Sequence, residues 1–366
     1  MADKPVAAPM YSGTIMKISI DSLRAFCVAT LRQVGLSVTD AETTANALVT
    51  TDAMGVFTHG TKLLAGYLHR LRGGGYRATG APRIDREGPA WAVIDGELAL
   101  GQIGSMFAMR TAMAKARQVG VAYVGLRNTG HIGAAGYYAV MAAREGFIGL
   151  VTGNDMPSVA APGSRGAVLG SNPLAYAVPV GDRDPIVLDM ATSAVAGGKV
   201  YAAHQRGEPI PPTWLIGPDG QPTTDGSLYP HHASLAPMAG HKGYGLGLWA
   251  EILAGVLPGG AMTWQVGSWI FDEPNQPSKH NAAFFAIDVA TIAPPDEFAA
   301  RVQSLIDEIH KAPTAAGIER VLLPGEREWN LHRSATAHGI DLPADVVAKL
   351  TLLAQETEVE LRWSAS

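Results

Sequence analysis

Two apolar runs, PLAYAVPV and PIVLDMA, are separated only by GDRDP, so strands read over 174–180 and 186–190 are joined by five residues. A crossover between parallel neighbours needs a dozen residues or more, and this pair therefore has to be antiparallel. That link excludes a uniformly parallel, doubly wound sheet. Around it AWAVIDG, VAYVGL and FIGLVTG alternate with helical segments over 106–116 and from about residue 133, the texture of an α/β layer with some parallel strands. The middle of the chain is expected to hold a mixed sheet.

Helical periodicity brackets that middle. Leu23, Phe26, Leu31 and Val34 share one face of a first helix, with Asp21 or Ser22 as its cap. TDAE at 39–42 has capping-box spacing and opens a second helix towards Met54, and a third carries Leu64, Tyr67, Leu68 and Leu71 to Gly73. THG, 58–60, lies between them. After the turn-rich GPDGQPTTDG at 217–226, a helix is expected over 243–256, strands at SWIFD and AAFFAID, and helices over 297–310 and 344–354. The fold class is α/β: a mixed-sheet domain over 86–294, a helical domain built from both chain ends (18–85 and 295–366), and a flexible extension over 1–17.

Several function classes fall away on composition. The net charge of −5, with no Lys/Arg-rich run, gives no field for a nucleic-acid backbone. No apolar stretch approaches the roughly 20 residues that cross a bilayer, and no charged-then-apolar leader opens the chain. A cytoplasmic protein without membrane or nucleic-acid partners is expected. Cys27 is the one cysteine and sits in LRAFCVATL, so no intrachain disulfide is possible and core packing is its expected role. The 11 histidines show neither H-E-x-x-H nor comparable spacing, and no metal is expected.

Four stretches could carry chemistry. The usual dinucleotide signal G-x-G-x-x-G is missing, and GYGLG at 243–247 has the wrong spacing. A nucleotide phosphate can still bind any helix N-terminus that has small residues. GHIGAAGYYA supplies one: Gly133, Ala134 and Ala135 let a ligand approach the main chain beside His131, or His131 merely caps the turn. MAGHKGYGLG repeats the pattern with Gly240, His241, Lys242 and Gly243, where the alternative is a solvated lysine in a glycine-rich loop. VLDMATS places Asp189 at a strand end before Thr192 and Ser193, to receive ligand hydroxyls or to cap the next turn. In THGTK, His59 can give or take a proton near neutral pH with Thr58 holding the ring, or Thr58 is an N-cap and His59 an exposed first-turn residue.

Taken together and in order from about Ile18 to Trp363, THG, RNTGHIGAAGYYA, LGSNPLAYAVP, VLDMATS followed by GK, GHKGYGL and LPGERE resemble the malate/L-lactate dehydrogenase family of non-Rossmann oxidoreductases, which includes sulfolactate and ureidoglycolate enzymes and piperideine/pyrroline-2-carboxylate reductases. The resemblance implies a non-Rossmann NAD(P)-binding domain, a helical substrate-side domain, a homodimer, and hydride transfer at C2 of a small 2-oxo or 2-hydroxy acid or a cyclic imino acid, with NAD or NADP as cofactor. It implies His59 as proton donor with Thr58 and His131 beside it, and Lys62, Leu63, Asn154 and Ser171 on the substrate side. The cofactor segments it implies are His131, Ile132, Gly133, Ala134 and Ala135; Asp189, Met190, Ala191, Thr192 and Ser193; Gly240, His241, Lys242 and Gly243; and Pro324, Gly325 and Glu326.

The sequence also departs from that pattern. Thr58 replaces the usual Ser, and Leu63 stands where family members carry an Arg that clamps a substrate carboxylate; Lys62 cannot reproduce the guanidinium fork. Tyr201 occupies a place where some relatives have an acidic partner for the histidine. An imine, or a substrate with an apolar arm, gains from these changes. The alternative is a homologue that binds NAD(P) or a metabolite without turnover.

Overall fold

A computed structural model describes residues 16–363. The extension expected over 1–17 therefore lies, up to residue 15, outside the described residues. Residues 16 and 17 are not loose: they belong to strand β1 (Met16–Ile18), which is followed by α1 (Ile20–Gln33), α2 (Val38–Ala53) and α3 (Leu64–Gly73). Then come β2 (Arg83–Gly88), β3 (Trp91–Asp95), α4 (Gly101–Val119), β4 (Val121–Thr129), α5 (Ala135–Arg144) and β5 (Phe147–Gly153). The next stretch holds β6 (Val159–Ala160), β7 (Ala167–Leu169), β8 (Leu174–Val180), β9 (Arg183–Met190), α6 (Gly197–Gln205), β10 (Leu215–Ile216), β11 (Pro222–Thr223) and β12 (Ser234–Leu235). The chain continues with α7 (His241–Glu251), β13 (His280–Asp288), α8 (Val289–Ile292), α9 (Pro295–His310), α10 (Glu326–His338), β14 (Ile340–Leu342) and α11 (Ala344–Thr357).

Seven strands form the large sheet in the order β2-β3-β4-β13-β5-β8-β9. Only β3 and β4 pair in parallel, through the crossover helix α4. The short link forces β8 and β9 antiparallel as expected, with Ala175 opposite Asp189 and Ala177 opposite Val187. Small residues let α4 and α5 sit close on this sheet: Ala108, Ala112, Ala135, Ala139 and Ala142 are buried with Val124, Val151 and Phe284. A second sheet, β11-β10-β12-β6-β7, has its own core of Val159, Val200, Leu215 and Leu235 with α6. The helical body packs Leu23, Phe26, Leu48, Tyr67 and Leu71 against Leu342, Val346 and Leu350 from the C-terminal segment. Strand β1 pairs with β14, Met16 opposite Leu342, and ties the two ends of the chain together. Buried Cys27 lies in this core, where burial raises its thiol far above the usual range.

Four local expectations need correction. Ser19, not Asp21 or Ser22, caps α1: its backbone is extended and its side chain accepts the Ser22 N–H. Ser37 likewise caps α2 by accepting the Asp40 N–H. SWIFD is a turn, because the Asp272 carboxylate accepts the Ser268 N–H and the Ser268 hydroxyl oxygen accepts the N–H groups of Ile270 and Phe271. Helix α7 starts at His241 and passes into a π-helical segment, Ile252–Val256, so His241 and Lys242 are helical. In addition, α10 was not anticipated, since only Trp329 and Ala335 along it are buried. Helix α9 lays Val302 and Ile306 on Val180 of β8, against the large sheet.

Candidate active site

Between α2 and α3 the chain makes one short turn and a single 3-10 turn, Thr61–Leu63. Thr58 and His59 stand in it. The Thr58 hydroxyl is 2.9 Å from His59 Nδ1, which orients the ring. The imidazole is half-buried at the wall of a cleft of about 1780 Å3, bounded by the helical body, the large sheet and the small sheet. Burial lowers the His59 pKa, while the charges of Asp189 and Asp155 oppose that shift. The ring is therefore neutral at neutral pH and can be charged on demand.

His131 enters the same cleft just beyond the end of β4. Its ring centroid lies 5.8 Å from that of His59, 4.9 Å from Trp269 and 5.7 Å from His280. Tyr67 Oη is 2.8 Å from His131 Nδ1, and Gln102 Nε2 donates to that phenol oxygen at 3.2 Å. With the amide donating, the phenol proton is left for Nδ1, and a neutral ring then carries its own proton on Nε2. Burial, reinforced by the charges of His280 and His59, pushes His131 down to about 3. It is thus an uncharged donor, not a proton reservoir.

Two carboxylates flank the imidazoles. Asp189, at the end of β9, accepts the Gly136 N–H at 2.7 Å and so satisfies the first turn of α5. It is accessible from the cleft; the surrounding protein raises its carboxyl, against the Gly136 hydrogen bond and the His59 charge. Asp155 Oδ1 lies 3.0 Å from His280 Nε2, and the Ser278 hydroxyl is 2.9 Å from His280 Nδ1. Burial would raise Asp155, but its hydrogen bond to His280 and the charges of His280 and His131 outweigh it, so it stays below its usual value.

The cleft also collects most of the other segments singled out in the sequence. Ile132, Gly133, Ala134 and Ala135 line it at the N-terminus of α5, Met190 and Ala191 at the end of β9, and Pro324 and Gly325 ahead of α10. Small residues at the N-terminus of α5, with Ala191 and Gly325 across the cleft, leave room there for the pyrophosphate and flat rings of a dinucleotide. Lys62, Leu63, Asn154 and Ser171 line it as well. Lys62 is already engaged, with Nζ 2.6 Å from Asp345 Oδ2 of α11. Asn154 is saturated: its Nδ2 donates to Glu251 at 3.1 Å and to the Ala261 carbonyl at 2.9 Å, and its Oδ1 accepts the Asn281 N–H at 3.1 Å. It braces the site. Tyr201 is exposed and packs edge-on against Tyr229, 5.4 Å between centroids.

Other residues stay outside the cleft. The Thr192 N–H and hydroxyl both donate to the Ser171 carbonyl, at 2.9 and 3.0 Å, and the Ser193 hydroxyl donates to the Val195 carbonyl. Gly243 is there for close packing, since a Cβ on it would stand 2.2 Å from the Met238 carbonyl oxygen. Its neighbours Gly240, His241 and Lys242 are exposed around the start of α7, away from the cleft. The Glu326 side chain accepts the Leu323 N–H at 3.1 Å and pairs with Arg320 at 3.2 Å.

Sequence reasoning did not find Asp155, His280, Tyr67 or Trp269. Tyr67 reads as one more apolar residue of its helix, and Trp269 lies inside the run taken for a strand. A histidine opening the apolar strand HNAAFFAID is the signal that could have pointed to His280. Among the described residues no cluster of three or more His, Cys, Asp or Glu side chains is placed to hold a metal ion, and no helix is long and apolar enough to cross a membrane.

A family model described as malate/L-lactate dehydrogenase matches residues 18–351. The malate dehydrogenase of Pyrococcus horikoshii is 36% identical over 352 residues, covering 94% of this chain and 96% of that protein. The NAD(+) ureidoglycolate dehydrogenase of Escherichia coli K12 is 34% identical over 331 residues, 90% of this chain and 94% of the relative. The crystal structure of Δ1-piperideine-2-carboxylate reductase from Pseudomonas syringae superimposes with a TM-score of 0.83 at 28% identity, covering 92% of this chain and 99% of that one.

Proposed function

The chain belongs to the malate/L-lactate dehydrogenase family, and from that premise we propose that it moves hydride to or from C2 of a small 2-oxo or 2-hydroxy acid, or of a cyclic imino acid. It is a pyridine-nucleotide-dependent oxidoreductase, and the nicotinamide group supplies or takes the hydride when bound. The carrying observation is the convergence of His59, His131 and Asp189 at one wall of the cleft. His59 delivers a proton to the developing alkoxide or amine in reduction and removes it in oxidation. Asp189 stabilises the imidazolium that forms when His59 is charged. Neutral His131 offers its Nε2–H to a substrate oxygen, with Tyr67 and Trp269 holding the ring. His131 to Ala135, Asp189 to Ala191 and Pro324–Gly325 hold the dinucleotide, and the segments around Thr192 and Gly243 support that wall from behind.

The substrate arm beyond C2 is uncharged or apolar in this reading. Leu63 offers no guanidinium and Lys62 is paired with Asp345, so neither clamps a second carboxylate. The protein acts as a homodimer. Leu248, Trp249, Ile252 and Val256 recur at helical spacing along α7 and the π segment and are all exposed. At the cleft rim Trp264, Ile270 and Phe271 are 67%, 63% and 61% exposed. A second copy seated there would cover both.

The test is the change in nicotinamide absorbance when NADH or NADPH is mixed with the purified protein and a panel of 2-oxo acids and cyclic imines. Turnover with at least one member, fastest for those with an uncharged arm, is expected. Tight binding of the nucleotide with no turnover across the panel would point instead to a homologue that binds without catalysing.

A further inference from the structure

At the end of α2, directly behind the turn that carries His59, lies a carboxylate with no assigned task. Asp52 is 1% exposed. Its Oδ2 accepts two hydrogen bonds from Thr61, the N–H at 3.0 Å and the hydroxyl. Its Oδ1 is buried without any hydrogen-bond partner, and no ion pair reaches Asp52 among the described residues. The titratable group facing it is Cys27, from α1. Burial pushes the Asp52 carboxyl up to about 7, against the two Thr61 hydrogen bonds that favour its charged form.

What the carboxyl touches is the catalytic turn. A Cβ built on Gly60 would stand 1.8 Å from Asp52 Oδ1 and 2.4 Å from its Cγ, closer than any real contact. At φ −90 and ψ −146, Gly60 turns its Cα towards the Asp52 carboxyl, which leaves no room for a side chain there. The residues on either side, His59 and Thr61, are the proton carrier and the group bonded to Oδ2. A shift of Asp52 therefore passes to the imidazole through two peptide units. Because a misplacement of about 1 Å can cost on the order of 10²-fold in rate, the tether matters to chemistry and not only to folding.

We propose that Asp52 is a positioning residue for His59: its carboxyl fastens the 58–61 turn to α2 through Thr61, and Gly60 is kept bare so that the turn can close on it. This rests on the reading of His59 as the proton carrier. The experiment is a double-mutant cycle on the full chain with Asp52→Ala, Gly60→Ala and the pair. It is read by turnover on the best panel substrate, by nucleotide affinity, and by the imidazole resonance of His59, identified by its loss in His59→Gln.

Gly60→Ala is expected to cut kcat at least tenfold and move the His59 resonance, with nucleotide affinity within twofold. In the Asp52→Ala background the same change meets no carboxylate and should cost less than threefold. Equal cost in both backgrounds would overturn the proposal, as would an unmoved His59 resonance in Asp52→Ala. Should Asp52→Ala fail to fold, Asp52→Asn takes its place: the amide weakens the Thr61 bonds while keeping the shape, and a resonance identical to that of the parent would again overturn it. The resonance does not depend on turnover, so a chain inactive on every substrate would defeat the dehydrogenase reading and leave this proposal standing or falling on its own measurement.

Discussion

His59 is separable from the binding surface because its neighbours, and not its own ring, build the cradle. His59→Ala is expected to lower turnover by roughly 10²–10⁴-fold while nucleotide affinity stays within twofold; an equal loss of both, measured by fluorescence titration, would remove it from the proton-transfer role. Asp189 raises the His59 pKa against the lowering effect of burial. Asp189→Asn retains an acceptor for the Gly136 N–H but loses that charge, so His59 should be harder to protonate. In the reductive direction, which consumes the protonated ring, the limb of the kcat/KM profile that falls with rising pH moves to lower pH; a profile that stays in place or moves up would show that the two charges do not communicate. At the substrate wall, Leu63→Arg adds a fork where Lys62 is held by Asp345. It should improve kcat/KM for a small dicarboxylate by about tenfold, the scale of one charge-assisted bidentate contact. No gain would mean that such a carboxylate already has another partner.

Whole elements behave as the sequence suggests when local chemistry decides them, and otherwise when it does not. The β8–β9 hairpin was legible because five residues cannot cross over a sheet. The helix after His131 was legible from its small residues and apolar spacing. SWIFD looked like a strand because three apolar side chains sit in a row, yet Ser268 and Asp272 bend it locally and a residue far away in sequence clamps it from outside. The buried Arg70 guanidinium donates to the carbonyls of Trp269 at 2.8 Å, Glu273 at 2.6 Å and Gln276 at 3.0 Å, and to that of Ser268. In the glycine-rich run with His241 and Lys242, Gly243 lets α7 approach the chain at Met238, a contact its sequence does not disclose. The Asp155–His280 pair was invisible for the same kind of reason, since only the pairing of β13 beside β5 brings the two together. Arg70→Lys cannot serve four carbonyls from one ammonium. It should cost roughly 1–3 kcal/mol for each carbonyl left unpaired and speed amide exchange over 268–276. Unchanged exchange there would show that the turn holds its shape without the guanidinium, and that Trp269 needs no such support against His131.

Across the whole molecule, the cleft lies where three separately cored bodies meet, and one of its rims carries uncovered aromatic residues. Phe271→Asp combined with Trp264→Asp places two charges in the proposed subunit contact. The pair should convert a dimer to a monomer in sedimentation or light scattering at micromolar concentration and reduce turnover along with it. A parent protein that is already monomeric at that concentration would refute the dimer. The antiparallel tie between β1 and β14 has a consequence for biosynthesis. The platform beneath His59 takes a quarter of its core from residues 340–353, which leave the ribosome long after the turn they support. During translation the large sheet can close first, while the first three helices wait with an apolar face uncovered. Chaperone capture of nascent chains is therefore expected to fall on this early segment, and catalytic competence to arrive abruptly, only once the C-terminal segment has docked.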